Sequence, residues 1–218
     1  ALAWQGSVGA TGYGVERAAA PSGPWTVAAA DVDETAAPYR PLFVDVEASP
    51  GSWYYRVRAR NAAGVSAPSN VIGPVTVTQR VVVDELADGR WLHERSPDTA
   101  FRGRDSRKAR EDYDRLGGAA GSTLTYTVAG SLRDVVVDVF FPAAMADPRF
   151  SVSADGAAHR VCEFRAEPFL GGDGDYGYWK AVRYRGRVRD EHARFLRIEF
   201  TGPMEVGRVE LGFAEPGS

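Results

Sequence analysis

This chain of 218 amino acids has very little cysteine and lysine, with one cysteine and two lysines. Its single cysteine, Cys162, excludes an internal disulfide. Lysine occurs only at positions 108 and 180, and arginine supplies the remaining positive charge, for a formal net charge of −3. Because the net charge is close to zero, the chain is not expected to create the strong positive field that attracts nucleic acids or anionic membranes. No run of about 18 apolar residues is present, so the sequence predicts no transmembrane helix.

Motifs of catalysis are also missing. There is no nucleophile elbow, no zinc-type spacing of histidine and cysteine, and no phosphate-binding loop. The three histidines, His93, His159 and His192, lie in different segments. Carboxylates are plentiful, but no pair is marked as the acid and base that a glycosidase requires. We therefore expect no catalytic activity in this chain.

Short strand patterns separated by turns are what the chain does contain. Trp53–Arg60 alternates apolar and polar residues with period two, which is typical of a half-buried strand. Further strands are predicted at Tyr13–Arg17, Trp25–Ala29 and Pro41–Val46. Eight more are predicted after residue 80, at Val81–Leu86, Ser122–Val128, Asp134–Phe141, Phe150–Ala154, His159–Phe164, Trp179–Tyr184, Arg194–Phe200 and Val206–Phe213. The pattern predicts an all-β protein with two sandwich domains, residues 1–77 and 80–218.

The first of these domains carries motifs that match a family. They are Leu2-x-Trp4, Tyr13-x-Val15-x-Arg17 and Tyr55-x-Val57-x-Ala59-x-Asn61-x-x-Gly64-x-Ser66. In this order they resemble a fibronectin type III sandwich. The family's first strand is missing, which implies a piece of a longer chain. Trp53 stands where that family has its corner tyrosine, and its indole N–H could donate a hydrogen bond in place of the phenol.

The second domain has three shorter motifs, SVSADG at 151–156, ARFLRIEFTG at 193–202 and VGRVEL at 206–211. They resemble the discoidin-like or galactose-binding-like jelly roll, a scaffold of many carbohydrate-binding modules. The resemblance implies that no cofactor is required and that a structural Ca²⁺ is possible. The candidate calcium ligands are Asp84, Glu85, Asp114 and Glu210, with Asp173 and Asp175 as a rival site.

The order of the two domains resembles the C-terminal accessory region of bacterial multimodular β-mannanases. That resemblance implies a secreted, extracellular protein whose partners are a plant β-glycan, mannan-like, and the upstream catalytic domain of the same polypeptide. It implies neither a nucleic-acid nor a membrane partner. Two alternatives stay open. The chain could brace the catalytic domain without binding sugar, or it could serve protein interaction or adhesion.

The most informative segment for binding is Phe169–Lys180, FLGGDGDYGYWK. Its glycines permit sharp turns and close approach of a ligand. Asp175 could bind sugar hydroxyls, and Tyr176, Tyr178 and Trp179 could present ring faces to a pyranose. Alternatively, the tyrosines pack the loop on itself and Trp179 belongs to the core, since Trp179, Ala181 and Arg183 alternate.

A second candidate binding segment is Trp91–Arg115, part of the stretch Ala87–Leu116 that is predicted as one long charged loop. If it reaches the same end of the sandwich as the first segment, it could face it. The candidate sugar contacts are Trp91, Arg102, Asp112, Tyr113 and Arg115. Alternatively, this is a solvated loop with ion pairs such as Arg107–Glu111. Its acidic residues offset its arginines, which argues against a nucleic-acid surface.

Overall fold

The computed structural model describes residues 1–33, 41–103, 114–142, 145–168 and 179–215. Every regular element in these ranges is a β-strand, which confirms the all-β prediction. The described residues include no helix long and apolar enough to cross a membrane. The chain divides into two compact units, Ala1–Arg80 and Val81–Ser218.

The first unit is built on one antiparallel five-stranded sheet. Its strands are β1 (Gly12–Ala18), β2 (Thr26–Val32), β3 (Gly51–Asn61), β4 (Gly64–Val65) and β5 (Ile72–Val77). The order is β2-β1-β3-β4, and β5 also pairs with β3. One face is apolar and buries Tyr13, Val15 and Tyr55, whereas on the other face Arg56 and Arg58 bind Glu16. The alternation predicted for Trp53–Arg60 is thus confirmed in β3.

The segment Pro41–Val46 does not form the strand that its alternation predicted. Among the described residues, its one ladder contact is an isolated bridge between Phe43 and Leu2. Asp45 explains part of the difference, because its carboxylate accepts hydrogen bonds from Arg17 at 2.7 Å and from the Tyr55 hydroxyl at 3.1 Å. These contacts tie the segment down through a side chain instead of a backbone ladder.

Two further details of this unit concern β3 and its neighbour. The indole Nε1–H of Trp53 donates to the carbonyl of Ser49 at 2.8 Å, the role expected of it from the sequence. The register between β3 and β5 shifts between the Trp53 and Tyr55 pairs, at Gly73 and Pro74.

The second unit is a jelly-roll sandwich of two antiparallel sheets. Its strands are β6 (Arg80–Asp84), β7 (Leu92–Arg95), β8 (Ala100–Gly103), β9 (Asp114–Gly118), β10 (Thr123–Thr127), β11 (Ser131–Phe141), β12 (Arg149–Ser153), β13 (Arg160–Cys162), β14 (Arg165–Pro168), β15 (Lys180–Arg187), β16 (Phe195–Glu199) and β17 (Met204–Ala214). The five-stranded sheet has the order β13-β12-β16-β10-β7. The seven-stranded sheet has the order β14-β15-β11-β17-β9-β8, and β6 also pairs with β17.

The core of the second unit lies between these two sheets. Leu124 and Tyr126 of β10 and Ile198 of β16 point inward from one sheet, and Val137 and Val139 of β11 point inward from the other. All five are fully buried. Burial of such side chains contributes roughly 1.5–3 kcal/mol each, so this core dominates the stability of the unit.

The prediction of one long loop over Ala87–Leu116 was wrong, because β7, β8 and the start of β9 lie within it. β7 and β8 are the outermost strands of their sheets in the described part of the chain. Most of their residues are exposed, so neither strand shows the apolar alternation that marks a half-buried strand. The polar composition therefore reflects edge strands rather than a loop.

The predicted hairpin turn at Asp155-Gly156 is confirmed. It joins β12 to β13, and Gly156 adopts a left-handed φ of 81°. The carboxylate of Asp155 accepts the N–H groups of Ala158 and Ala157, and these bonds lower its pKa to about 2. β13 and the next strand, β14, are edge strands of opposite sheets. One continuous run of chain, residues 160–168, therefore forms this side of the sandwich.

Candidate functional site

Two of the predicted site residues, Arg115 and Trp179, meet on the outer face of the seven-stranded sheet. The guanidinium carbon of Arg115 lies 3.6 Å from the ring centroid of Phe140 and 5.6 Å from that of Trp179. Its Nη1 lies 3.5 Å from a carboxylate oxygen of Glu205. Arg115 is 2% exposed and Trp179 9% exposed. This buried cluster stabilises the sheet, and direct sugar contact by either residue would require it to open.

The chain segments that end at Arg115 and Trp179 leave the sheet in opposite directions. Gly103 of β8 pairs with Asp114 of β9. β9 pairs with β17 so that Gly118 lies beside Met204, and Asp114 is therefore at the end of β9 that is farther from Met204. Lys180 pairs with Phe141, at the end of the sheet that holds Met204. The two predicted binding segments are therefore anchored at different ends of the strands, although the Arg115 and Trp179 side chains meet.

Trp91 lies apart from that cluster, whereas Arg102 lies on the strand next to Arg115. Trp91 is 44% exposed and precedes β7, at the end of the sandwich where β10 leads into β11. Trp179 is at the other end of β11. Arg102 is exposed on β8, opposite Arg115 in the register. The remaining predicted contacts, Asp112, Tyr113, Asp175, Tyr176 and Tyr178, lie outside the described residues.

A groove of about 450 Å³ opens between the edges of the two sheets, beside β13 and β14. We call it the Tyr184 groove. Its lining residues are Asp147, Pro148, Arg149, Phe150, Val161, Cys162, Glu163, Phe164, Ala166, Tyr184 and Thr201. Apolar rings and a few polar groups thus converge on one concave surface, the arrangement common in small-ligand sites.

Aromatic rings form a packed layer beneath the Tyr184 groove, with Phe150 and Tyr184 buried and Phe164 half-buried. Phe164 stacks on Phe150 with ring centroids 4.3 Å apart and an interplanar angle of 18°. Phe150 in turn packs against Tyr184 at 5.4 Å. The backbone of Gly186 lies directly beneath Phe164, since a Cβ placed there would come within 1.9 Å of the Phe164 ring. Gly186 therefore permits the close approach that holds this ring in place.

Asp147 is the best-positioned polar group of the groove. Its Oδ1 accepts a hydrogen bond from the Tyr184 hydroxyl at 2.6 Å. Its backbone carbonyl accepts one from the Thr201 hydroxyl at 2.8 Å. Burial, reinforced by this hydrogen bond and by the charge of Asp147, raises the pKa of Tyr184 far above its ordinary value, so the phenol stays a donor. Within the described residues, Oδ2 of Asp147 accepts no hydrogen bond and can receive one from a ligand.

A second groove, of about 580 Å³, continues along the same edge. We call it the arginine groove. Its lining residues are Val152, Arg160, Val161, Cys162, Glu163, Arg187, Val188 and Arg189. The two grooves share Val161, Cys162 and Glu163, so they meet at β13. Burial raises the pKa of the Cys162 thiol to about 11, partly opposed by the charge of Arg160.

Sequence reasoning did not find these grooves. Asp147, Phe164 and Tyr184 belong to separate segments, and each was assigned to a predicted strand or a connection. The available signal was Gly186, which interrupts the alternation of β15 and so indicates a close contact within a strand. The sequence does not say which ring makes that contact.

Three of the carboxylates proposed for calcium, Asp84, Glu85 and Glu210, are engaged with other groups. Asp84 is buried and accepts a hydrogen bond from Tyr126 at 3.1 Å. Glu85 and Glu210 both form ion pairs with Arg208, which already supplies a positive charge between them. In the described part of the chain, no group of three or more His, Cys, Asp or Glu side chains could hold a metal ion. The structural Ca²⁺ that the resemblance implies stays a prediction, and its rival ligands Asp173 and Asp175 lie outside the described residues.

Comparison with solved structures finds jelly-roll modules of low similarity. A family 6 carbohydrate-binding module is 12% identical over 61% of this chain and 94% of that chain, with a TM-score of 0.38. The C-terminal family 6 module of a marine laminarinase from Zobellia galactanivorans is 14% identical over 61% and 99%, with a TM-score of 0.36. A module described as recognising mannan is 12% identical over 62% and 98%, with a TM-score of 0.36. No protein-family model and no curated protein matches this chain. Identities and TM-scores at this level say nothing about its ligand or its site residues.

Proposed function

We propose that this protein binds carbohydrate without catalysing a reaction, and that sugar rings occupy the Tyr184 groove. The observation that carries the proposal is the combination of a stacked aromatic layer with an anchored carboxylate in one groove of about 450 Å³. That volume lies within the range of roughly 300–1,000 Å³ found for small-ligand sites. The Phe164 ring offers an apolar face for the C–H groups of a pyranose. Asp147 Oδ2 is placed to accept a hydroxyl hydrogen bond.

The sequence-predicted binding segment follows, in the sequence, a strand that lines this groove. Ala166 of β14 lines the groove, and the segment Phe169–Tyr178 follows the end of that strand. We therefore include Asp175, Tyr176 and Tyr178 in the proposed site as its extension. Loops next to a rigid scaffold are common places for binding residues.

The ligand we propose is a plant β-glycan of the mannan type, and the first unit would act as a spacer. This part of the proposal rests on the resemblance of the two domains to the accessory region of bacterial β-mannanases. In that context the protein is secreted, and the glycan site raises the effective concentration of an upstream glycoside hydrolase at the polymer surface.

Affinity electrophoresis and calorimetry of the full chain against β-mannan, glucomannan, xylan and cellulose test the proposal. The Asp147→Asn variant keeps an acceptor for Tyr184 but removes the charge, so it should weaken binding without changing the melting temperature. Tyr178→Ala tests the extension separately. Phe101→Ala is the matched control, because Phe101 is a partly exposed ring on β8, outside the groove. Absence of binding to all four glycans, or release of reducing ends from any of them, would refute the proposal.

A further inference from the structure

Arginines recur at every second position near the end of β15 and just after it, at 183, 185, 187 and 189. The first two are neutralised by acids. Arg183 forms two hydrogen bonds with the carboxylate of Asp138, at 2.7 and 2.8 Å. Arg185 forms an ion pair with Glu167 at 2.8 Å. At these positions the protein itself supplies the counter-charge.

The last two arginines of the series line the arginine groove and lack such acids. Arg187 and Arg189 are exposed, and within the described residues their side chains form no ion pair or hydrogen bond. Arg187 lies opposite Asp134 in the register, but the two do not form an ion pair. Arg160 also lines the groove and is paired with Asp190 at 3.1 Å. Two arginines therefore line the groove without an ion-pair partner among the described residues.

Among the described residues that line this groove, Glu163 is the one acid. It lies where the arginine groove meets the Tyr184 groove. The balance of charge thus changes along one continuous edge. The Tyr184 groove has Asp147, Glu163 and Arg149, and Arg149 is itself paired with Glu199. The arginine groove is positive. A ligand spanning both would place its neutral rings in the first and an anionic group in the second.

We infer that the arginine groove binds a carboxylate or sulfate substituent, so that a glycan carrying such groups binds more tightly than its neutral counterpart. This inference rests on the proposed function of the Tyr184 groove. Arginine suits the role because its planar guanidinium donates paired hydrogen bonds to the oxygens of such anions. Carboxylate and sulfate share this geometry, and the groove recognises the feature common to both.

The test compares neutral glucomannan and dextran with alginate, a uronate polymer, and with dextran sulfate. Calorimetry uses the full chain, the double variant Arg187→Gln/Arg189→Gln, and Arg185→Gln. The Arg185 variant is the matched control, since it removes one exposed charge from the same strand outside both grooves. We expect each groove arginine to contribute up to about fivefold in Kd. The double variant should therefore lose between about twofold and 25-fold on the acidic polymer and little on the neutral one. The alginate and dextran sulfate arms show which anion is bound.

Several outcomes separate this inference from the proposed function. If neutral glycan binds and the acidic polymers have no advantage, the inference fails and the proposed function stands. If no polymer binds, both fail. An equal loss in Arg185→Gln would indicate diffuse charge attraction and would overturn the inference. Binding of single-stranded DNA with the same arginine dependence would overturn the assignment of a glycan as the ligand.

Discussion

Replacing Gly186 with alanine should displace Phe164 and damage the Tyr184 groove. The added Cβ would lie 1.9 Å from Cδ1 and 2.1 Å from Cε1 of Phe164. Carbon atoms in contact are about 3.5–4.0 Å apart, so the ring must move by roughly 1.6 Å or more. Such a shift breaks the stack of Phe164 on Phe150.

The cost of this substitution follows from two contributions. Overpacking in a well-packed region costs about 1–3 kcal/mol. Loss of the aromatic stack adds about 0.5–1.5 kcal/mol. A total of about 2–4 kcal/mol corresponds to a fall of roughly 6–15 °C in the melting temperature of a unit of this size. Glycan binding should weaken in parallel, because Phe164 lines the groove.

Differential scanning calorimetry checks this expectation against two controls. Gly89→Ala in the same unit should shift the melting temperature little, because its Cβ would approach nothing closer than 3.6 Å. In a Phe164→Ala background the substitution at Gly186 should also cost little, since the obstructing ring is gone. A melting temperature of Gly186→Ala within a degree or two of the wild type, or equal costs in both backgrounds, would refute the packing argument.

Three further predictions concern buried polar groups. Alkylation of Cys162 at pH 8 should be about 100-fold slower than that of a thiol with a pKa of 9.0, because the pKa of Cys162 is about 11. Mass spectrometry measures this rate, and a bound glycan should lower it further. A rate typical of a free thiol would contradict the burial of Cys162. Glu205→Gln should destabilise the second unit by about 3 kcal/mol, because it removes the negative charge that pairs with buried Arg115. The double variant Glu205→Gln/Arg115→Met should recover part of this stability. Additive losses of the two substitutions in calorimetry would argue against the coupling. Burial raises the pKa of Asp84 above its unfolded value of 3.8; its contribution to stability is therefore full below pH 3.8 and lost as the pH rises through the folded pKa. Asp84→Asn should accordingly gain stability relative to the wild type between pH 3.5 and 7, and melting curves showing the opposite trend would contradict the sign.

Local alternation predicts the strands that bury one face. The alternation at Trp53–Arg60 lies within β3, which has one face against a core. The more apolar run Asp134–Phe141 lies within β11, where Asp138 and Phe140 on the outer face are buried as well. The same signal fails for β7 and β8, whose residues face solvent on both sides and carry no contrast. It also fails for Pro41–Val46, where alternation is present but the described ladder is one bridge.

The candidate grooves could not be predicted from the sequence for a different reason. Each is a gap between the edges of two sheets, and its walls come from strands far apart in the chain. Asp147 and Tyr184 are 37 positions apart, and the hydrogen bond that joins them depends on how the sheets pack. The sequence shows arginine at every second position along β15 and just after it. Only the three-dimensional arrangement shows that Arg183 and Arg185 are paired with acids, whereas Arg187 and Arg189 have no described partner.

The shifted register beside β5 has a consequence for behaviour at high local concentration. Ile72 and Val75 on this strand are 42% and 37% exposed, so the strand combines apolar side chains with a sheet edge. Such an edge can template strand addition by a neighbouring molecule. Pro74 has no N–H to offer, and the irregularity at Gly73 and Pro74 interrupts the row of donors that a regular strand would present. Molecules at high local concentration would thereby be protected against edge-to-edge aggregation through this strand.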